Sequence, residues 1–184
     1  MDNNADAIFT AMKAKFKQAM ASLPVVVGNE VVNFSKERFT DQAWNDKGRE
    51  PWASRKSKKN AGRSILVQSG RLKRSPRVIS TTADSVTVGS DVPYAQAHND
   101  GFSGSVSVKS YQRNKYSKSK QATGKTNKSG TARKETISSV TGNGMVKAHT
   151  RQMNIPRRQF LGPSANMMER LKKVAAKHLL KSLQ

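Results

Sequence analysis

Three histidines are the side chains in this sequence best suited to acid–base or metal chemistry: His98, His149 and His178. They lie far apart along the chain, and none has a second ligand four residues away, as a zinc-binding helix requires. Cysteine is absent, which excludes disulfides, thiolate metal ligands and thiol nucleophiles. We therefore predict no catalytic residue, no metal site and no cofactor.

A phosphate-binding loop is also not supported. The run Gly124-Lys125-Thr126 ends like such a loop, but the first glycine of the GxxxxGK[ST] pattern is missing. Carboxylates are scarce, and His178 lies on or beside the apolar face of a predicted helix, where packing or capping explains it. We expect a protein that is not an enzyme.

The charge of the chain points to acidic partners. Thirty-four Lys and Arg against twelve Asp and Glu give a net charge of +22, and the stretches 47–77 and 103–151 supply most of it. Nucleic acid is the first candidate partner and an acidic protein the second. No zinc finger, bZIP heptad or convincing helix-turn-helix is present. The candidate basic contacts are Arg55, Lys56, Lys58, Lys59, Lys109, Arg113, Lys115, Lys118, Lys120 and Arg157.

Length and hydropathy predict one domain of 1–184 with a small core, because only 35% of residues are hydrophobic and the mean hydropathy is -0.72. No apolar run approaches the roughly 20 residues that cross a bilayer. The N-terminus has no signal-peptide pattern. We expect no membrane association and assembly in the host cytoplasm.

The segment 103–147 interrupts that domain as a basic, low-complexity insertion rich in Ser, Lys, Thr, Gly and Asn. Without a core pattern, it is predicted to be a long loop that is disordered alone or ordered against a partner. Two interpretations stay open: a solvated flexible loop, or an arm that embraces neighbours or nucleic acid. Tyr111 and Tyr116 are available for stacking on bases.

The predicted secondary structure begins with a helix over 4–22, which Pro24 ends or bends. Residues 25–41 favour a second helix, although their valines also suit a strand, and 42–63 are a polar connection. Short strands are predicted at 77–80 and 85–89.

A short helix follows at 93–98, and 145–153 is a weak third strand. The last helix covers 164–183, with Ser164 as its N-cap. The fold class is therefore α+β: a small antiparallel sheet packed by N-terminal and C-terminal helices, with a long basic loop insertion.

Five short signals occur in order between 50 and 162. They are Glu-Pro-Trp at 50–52, a leucine followed by Ser-Gly-Arg-Leu in 66–72, a hairpin ending in Val-Gly-Ser at 88–90, Tyr-Ala-x-x-His-x-x-Gly at 94–101, and Ile-Pro-x-Arg-x-Phe-Leu-Gly at 155–162. The residues that carry them are Trp52, Ser69, Gly70, Leu72, Gly89, Tyr94, His98, Gly101, Pro156, Arg158, Phe160 and Gly162. Tyr94 and His98, four residues apart, are expected to share a helical face and to lock the sheet to it.

This order of signals resembles the phage virion morphogenesis, or tail-completion, family of Mu-like tailed phages. The resemblance implies a structural, non-catalytic virion protein near the head–tail junction, working in a ring of six or twelve subunits. Its implied partners are other neck and tail proteins, and its place is the tail or neck of the virion. The charge also allows a contact with packaged DNA. The alternative function is that of a basic nucleic-acid-binding protein of the nucleoid or ribosome type.

Overall fold

A computed structural model describes residues 3–55 and 62–183, and the chain divides into two compact units. Residues 1–102 and 154–184 form the first unit, and 103–153 the second. The predicted insertion, 103–147, lies within the second unit, and the single domain remains a prediction. The elements in chain order are α1 (Asn3–Asp41), β1 (Ala43–Asn45), β2 (Arg49–Pro51), α2 (Arg71–Arg74), β3 (Arg77–Thr81), β4 (Val86–Gly89), α3 (Ala95–Asn99), β5 (Phe102–Val108), β6 (Tyr111–Thr126), β7 (Ala132–Val146), β8 (His149–Ile155) and α4 (Ala165–Leu183).

Helix α1 is one continuous element where the sequence predicted two. It continues through Pro24, because a proline removes only one hydrogen-bond donor while the rest of the helix is held by packing. The C-terminal half supplies that packing, with Phe34, Ser35 and Phe39 all fully buried. The helix also lies close to the β3–β4 hairpin, since a Cβ added to Gly28 would come within 2.6 Å of Val86.

Helix α4 packs along α1, and its predicted start is confirmed. The Met167 amide donates to the Ser164 hydroxyl over 3.1 Å, which caps the first turn. Met167 then packs with Phe34 and Trp44 in a first hydrophobic cluster. Helices at both ends of the chain with small antiparallel sheets confirm the α+β class.

An ion-pair cluster joins the same two helices. The Arg170 guanidinium donates to both carboxylate oxygens of Glu37, over 2.6 and 2.9 Å, and it also contacts Glu30. These bonds hold the pKa of Glu37 below its ordinary value, and they raise the pKa of Arg170. The two helices are therefore joined by complementary charges, with the carboxylates on α1 and the guanidinium on α4.

Acid should weaken this contact. Because the pKa of folded Glu37 is lowered from 4.5, its stabilising effect is present above that pH and is lost as the pH falls through the lower, folded value. We expect the melting temperature of the Arg170→Met variant to depend less on pH than that of the parent between about pH 5 and 3. Lys173→Met, at an exposed position of α4, is the control and should keep the parental slope. Parallel slopes for parent and Arg170→Met would contradict the assignment.

The stretch predicted as a polar connection, 42–63, contains a two-stranded hairpin instead. Strand β1 pairs with β2 from Ala43↔Pro51 to Asn45↔Arg49. Three-residue strands are too short to show a period in sequence, and the burial of Trp44 and Trp52 comes from contacts with distant segments. Residues 56–61 of this stretch lie outside the described residues.

The β3–β4 hairpin and the short helix α3 confirm their predictions closely. Val78 pairs with Val88, and the register shifts before Ser80. The predicted weak strand 145–153 is divided between the end of β7 and the start of β8, with 147–148 between them.

The second unit is built of paired strands where the sequence predicted a long loop. Strands β6 and β7 pair antiparallel from Tyr111↔Val146 to Thr126↔Ala132, and β5 pairs with β8. Nearly all side chains of β6 and β7 are exposed, so no alternation of apolar and polar residues marked them as strands. Backbone hydrogen bonds order this hairpin without a core of its own.

Candidate interaction site

Four of the five sequence signals meet in the first unit. The Trp52 indole N–H donates to the Gln159 carbonyl over 2.9 Å. Phe39 meets Trp52 edge to face, with ring centroids 5.4 Å apart, and packs at a tilt against Phe160, with centroids 5.0 Å apart. This second hydrophobic cluster also buries Leu72, Val92 and Ala95. Segments more than a hundred residues apart in sequence are thus joined around one aromatic centre.

Arg158 fastens the same segment to the chain after Trp52. Its side chain is buried, and it donates to the carbonyls of Ala53 and Ser54 over 2.9 and 3.2 Å. Its backbone amide donates to the His98 carbonyl over 2.8 Å. Burial, and then the charge of Arg55, lower the pKa of Arg158, although its range stays far above neutrality.

Asn99 is a bridging residue of the site that the sequence signals do not identify. Its side-chain oxygen accepts the amides of both Phe160 and Leu161, each over 2.9 Å. It is one of the unspecified positions in the Tyr-Ala-x-x-His-x-x-Gly signal, so only its residue type hinted at a role. The side chain fixes the last signal against α3.

Removing that side chain tests its bridging role. Asn99→Ala leaves two partly buried amides without an acceptor, so we expect a loss of about 1–3 kcal/mol in the free energy of unfolding. Urea denaturation followed by tryptophan fluorescence measures it, because Trp52 lies in the same cluster. Gln96→Ala, on the exposed side of α3, should change stability by under about 0.5 kcal/mol. Equal losses for the two variants would contradict the role.

Tyr94 and His98 share a helical face as predicted. Their rings are in edge-to-face contact with centroids 6.0 Å apart. In place of the predicted contact with the sheet, the His98 carbonyl of α3 accepts a hydrogen bond from the Arg158 backbone amide. Burial, followed by the charge of Arg158, lowers the pKa of His98. Its Nδ1 atom is buried and has no hydrogen-bond partner among the described residues.

A groove of about 850 Å³ opens beside these residues. Its lining combines an apolar run with arginines and with side chains of the sequence signals. The lining residues are Arg55, Arg63, Ile65, Leu66, Val67, Gln68, Ser69, Arg71, Leu72, Tyr94, His98 and Arg158.

Three glycines of the signals lie where the backbone conformation or a close neighbour disfavours a side chain. Gly70 precedes α2 with φ of 74°, and Gly101 follows α3 with φ of 83°. A Cβ at Gly101 would come within 3.1 Å of the Arg157 nitrogen, so a side chain there meets backbone. A Cβ at Gly89 would meet the Ile79 side chain at 2.5 Å.

The predicted basic contacts that the structure describes are divided between the two units. Arg55 lies at the groove and donates to the Ser64 carbonyl. Arg157 is exposed and contacts Gln159. Those of the second unit are exposed at or near β6: Lys109, Arg113, Lys115, Lys118 and Lys120. The predictions for Lys56, Lys58 and Lys59 lie outside the described residues.

The described residues, 3–55 and 62–183, offer neither a metal-binding cluster nor a membrane-spanning helix. No group of three or more His, Asp or Glu side chains there is placed to hold a metal ion. No helix in those ranges is long and apolar enough to cross a membrane.

Comparison with known proteins gives this arrangement its family. Residues 2–180 match the phage virion morphogenesis family, which is nearly the whole chain. The chain belongs to that family, and the resemblance seen in the ordered signals is confirmed. Comparison with curated proteins and with solved structures gave no match. A role in assembly of the phage virion, with other virion proteins as partners, follows from the family.

Proposed function

We propose that this protein is a ring-forming tail-completion or neck subunit at the junction of the phage head and tail, and that it acts by binding neighbours and not by catalysis. The observation that carries the proposal is an uncovered apolar stripe on α1. Ile8, Met12 and Phe16 recur every four residues and are 55, 43 and 45% exposed, with Phe9 beside them at 70%. Exposed apolar side chains in a continuous row are typical of a protein–protein interface.

The stripe favours contact between copies for two reasons. It lies on the helical segment before Ala19, where the chain itself buries no side chain from residue 5 to 18. In a cyclic assembly each copy presents the same helix to a neighbour, so one stripe serves every interface. A net charge of +22 opposes such contacts, and acidic neck or tail proteins or packaged DNA would relieve the repulsion.

Native mass spectrometry across a range of salt concentrations tests the ring. We expect assemblies of six or twelve subunits for the parent and monomers for the Phe9→Ser/Phe16→Ser double variant. Lys17→Ser/Gln18→Ser, on the opposite side of the same helix, is the matched control and should assemble at least as well, because it leaves the stripe intact and removes one positive charge. A parent that stays monomeric throughout, including with neck and tail proteins added, would contradict the ring.

The position in the particle needs its own test. Cryo-electron microscopy of particles carrying a small tag at the exposed turn near 128–130 should show added density at the head–tail junction. Density at the distal end of the tail, or in the capsid wall, would overturn the placement.

A second function, binding of nucleic acid, is favoured by the β6–β7 hairpin. Between 111 and 146 it carries eight Lys or Arg and one Glu, and a two-stranded ribbon fits the DNA major groove. If DNA is the partner, removing 112–145 should weaken duplex binding and make the salt dependence shallower. Unchanged binding and salt dependence would exclude the hairpin as a DNA contact.

A further inference from the structure

The groove of the first unit is lined by apolar side chains and by arginines, and we find no role within the fold for this combination. Its apolar part is formed by Leu72, which is buried, and by the half-buried run 65–67. Its polar part is basic, with Arg63, Arg71 and Arg158 in the lining, and no Asp or Glu among the described residues lines it. An apolar surface bordered by guanidinium groups suits a ligand that is both apolar and anionic.

Arg158 supplies the strongest part of the argument, because its charge is buried and uncompensated. It is 8% exposed, and its side chain bonds only to the neutral carbonyls of Ala53 and Ser54 among the described residues. No carboxylate in those ranges forms an ion pair with it, and the neighbouring sequence 56–61 contains neither Asp nor Glu. Buried guanidinium groups are normally paired with an anion, because desolvation of an unpaired charge is costly.

A second polar group at the groove lacks a partner. The Nδ1 atom of His98 is buried and makes no hydrogen bond to any described residue. His98 lines the groove together with Arg158, whose backbone amide bonds to the His98 carbonyl. One ligand anion bound beside the two side chains would compensate the guanidinium and would give the imidazole a charged neighbour.

We propose that this groove binds a segment of an acidic virion protein, with an Asp or Glu carboxylate at Arg158 and His98 and an aliphatic side chain against Leu72 and the 65–67 run. A second copy of this chain is a poor occupant, because its net charge of +22 meets the same arginines. Nucleic acid offers only sugar carbons and the thymine methyl group to the apolar part, which is a poor match for the whole 65–67 run. The site extends the proposed function by giving the chemistry of one partner, and it rests on that function only for the idea that the partner is a virion protein.

The test uses the full chain and a labelled peptide of alternating leucine and glutamate, with a leucine–glutamine peptide as the neutral probe. Fluorescence anisotropy should show at least tenfold weaker binding for the neutral peptide. Arg63→Gln/Arg71→Gln should also weaken glutamate-peptide binding at least tenfold, and both positions are exposed, so folding should persist. Lys118→Gln/Lys120→Gln removes the same charge from the hairpin and should cost less than twofold. Equal losses from the two double variants would reduce the binding to general attraction and overturn the proposal.

Two further measurements keep the result specific. The NMR titration of the His98 imidazole should move to higher pH when the glutamate peptide binds, since a carboxylate beside the ring favours its charged form. A titration that does not move would contradict carboxylate binding at this site. A DNA duplex that displaces the peptide from the parent and loses affinity equally in Arg63→Gln/Arg71→Gln would make the groove a phosphate site instead. None of these outcomes depends on ring formation. If the groove proposal fails, the proposed function is still tested separately by native mass spectrometry.

Discussion

Replacing Phe160 with alanine is expected to lower the free energy of unfolding by about 3–5 kcal/mol. Phe160 has no exposed surface, and its ring lies 5.0 Å from that of Phe39 in the cluster that contains Trp52. The alanine would leave a cavity at the point where the 155–162 signal packs against α1 and Trp52. Urea denaturation of the purified chain, followed by far-ultraviolet circular dichroism, measures the loss.

Phe9→Ala provides the matched control, because it removes the same side chain from a position that is 70% exposed. Its effect on the isolated chain should stay under about 0.5 kcal/mol. A loss for Phe160→Ala as small as that of Phe9→Ala would contradict the central place given to the last signal.

The Phe34→Ala variant should lose a similar amount, about 3–5 kcal/mol, in the other cluster. Phe34 is 1% exposed, meets Trp44 edge to face at 5.7 Å, and lies under the Arg38 guanidinium at 4.2 Å. The alanine therefore removes ring packing between α1, β1 and α4 together with the cation–π contact. The same denaturation measurement applies, with Phe9→Ala again as the control.

Combining the two variants tests whether the clusters are separate. Phe34 and Phe160 belong to different groups of buried residues, so their losses should add to within about 0.5 kcal/mol if the double variant still folds. Refolding in an osmolyte such as sucrose keeps the comparison possible for a marginal double variant. Strong non-additivity would mean that the two clusters act as one core.

The elements that could be predicted from sequence are those with a local signal. The β3–β4 hairpin follows from alternating valines around a polar turn, and α4 follows from its periodic apolar face and the Ser164 cap. The continuity of α1 could not be predicted, because Pro24 is a local breaker and the packing that overrides it is tertiary. The burial of Trp44 and Trp52 in a short polar stretch has the same cause.

The strands of the second unit could not be predicted, because burial of apolar side chains is not what orders them. A hairpin whose side chains nearly all face solvent has no apolar period, and its Ser, Lys and Gly content is also typical of loops. Its β-branched and aromatic residues, such as Tyr116 opposite Val140, were the available hint.

The sequence identified most of the residues of the candidate site. It did not identify the groups to which these residues bond. Trp52, His98, Arg158 and Phe160 were all selected by the order of the signals, and the structure brings them together. The hydrogen bonds that join them use backbone carbonyls and the Asn99 side chain, which carry no distinctive sequence pattern. The groove itself emerges only when the 63–72 run meets α3 and Arg158.

Electron microscopy of particles made without this protein tests the proposed role at the head–tail junction most directly. Deletion of its gene from the phage, followed by negative-stain counting of lysate particles, should yield filled heads and complete tails that are not joined. Supplying the parental chain from a plasmid should restore joined, infectious particles, and the Phe9→Ser/Phe16→Ser variant should not. Normal numbers of joined, infectious particles without the protein would contradict the account.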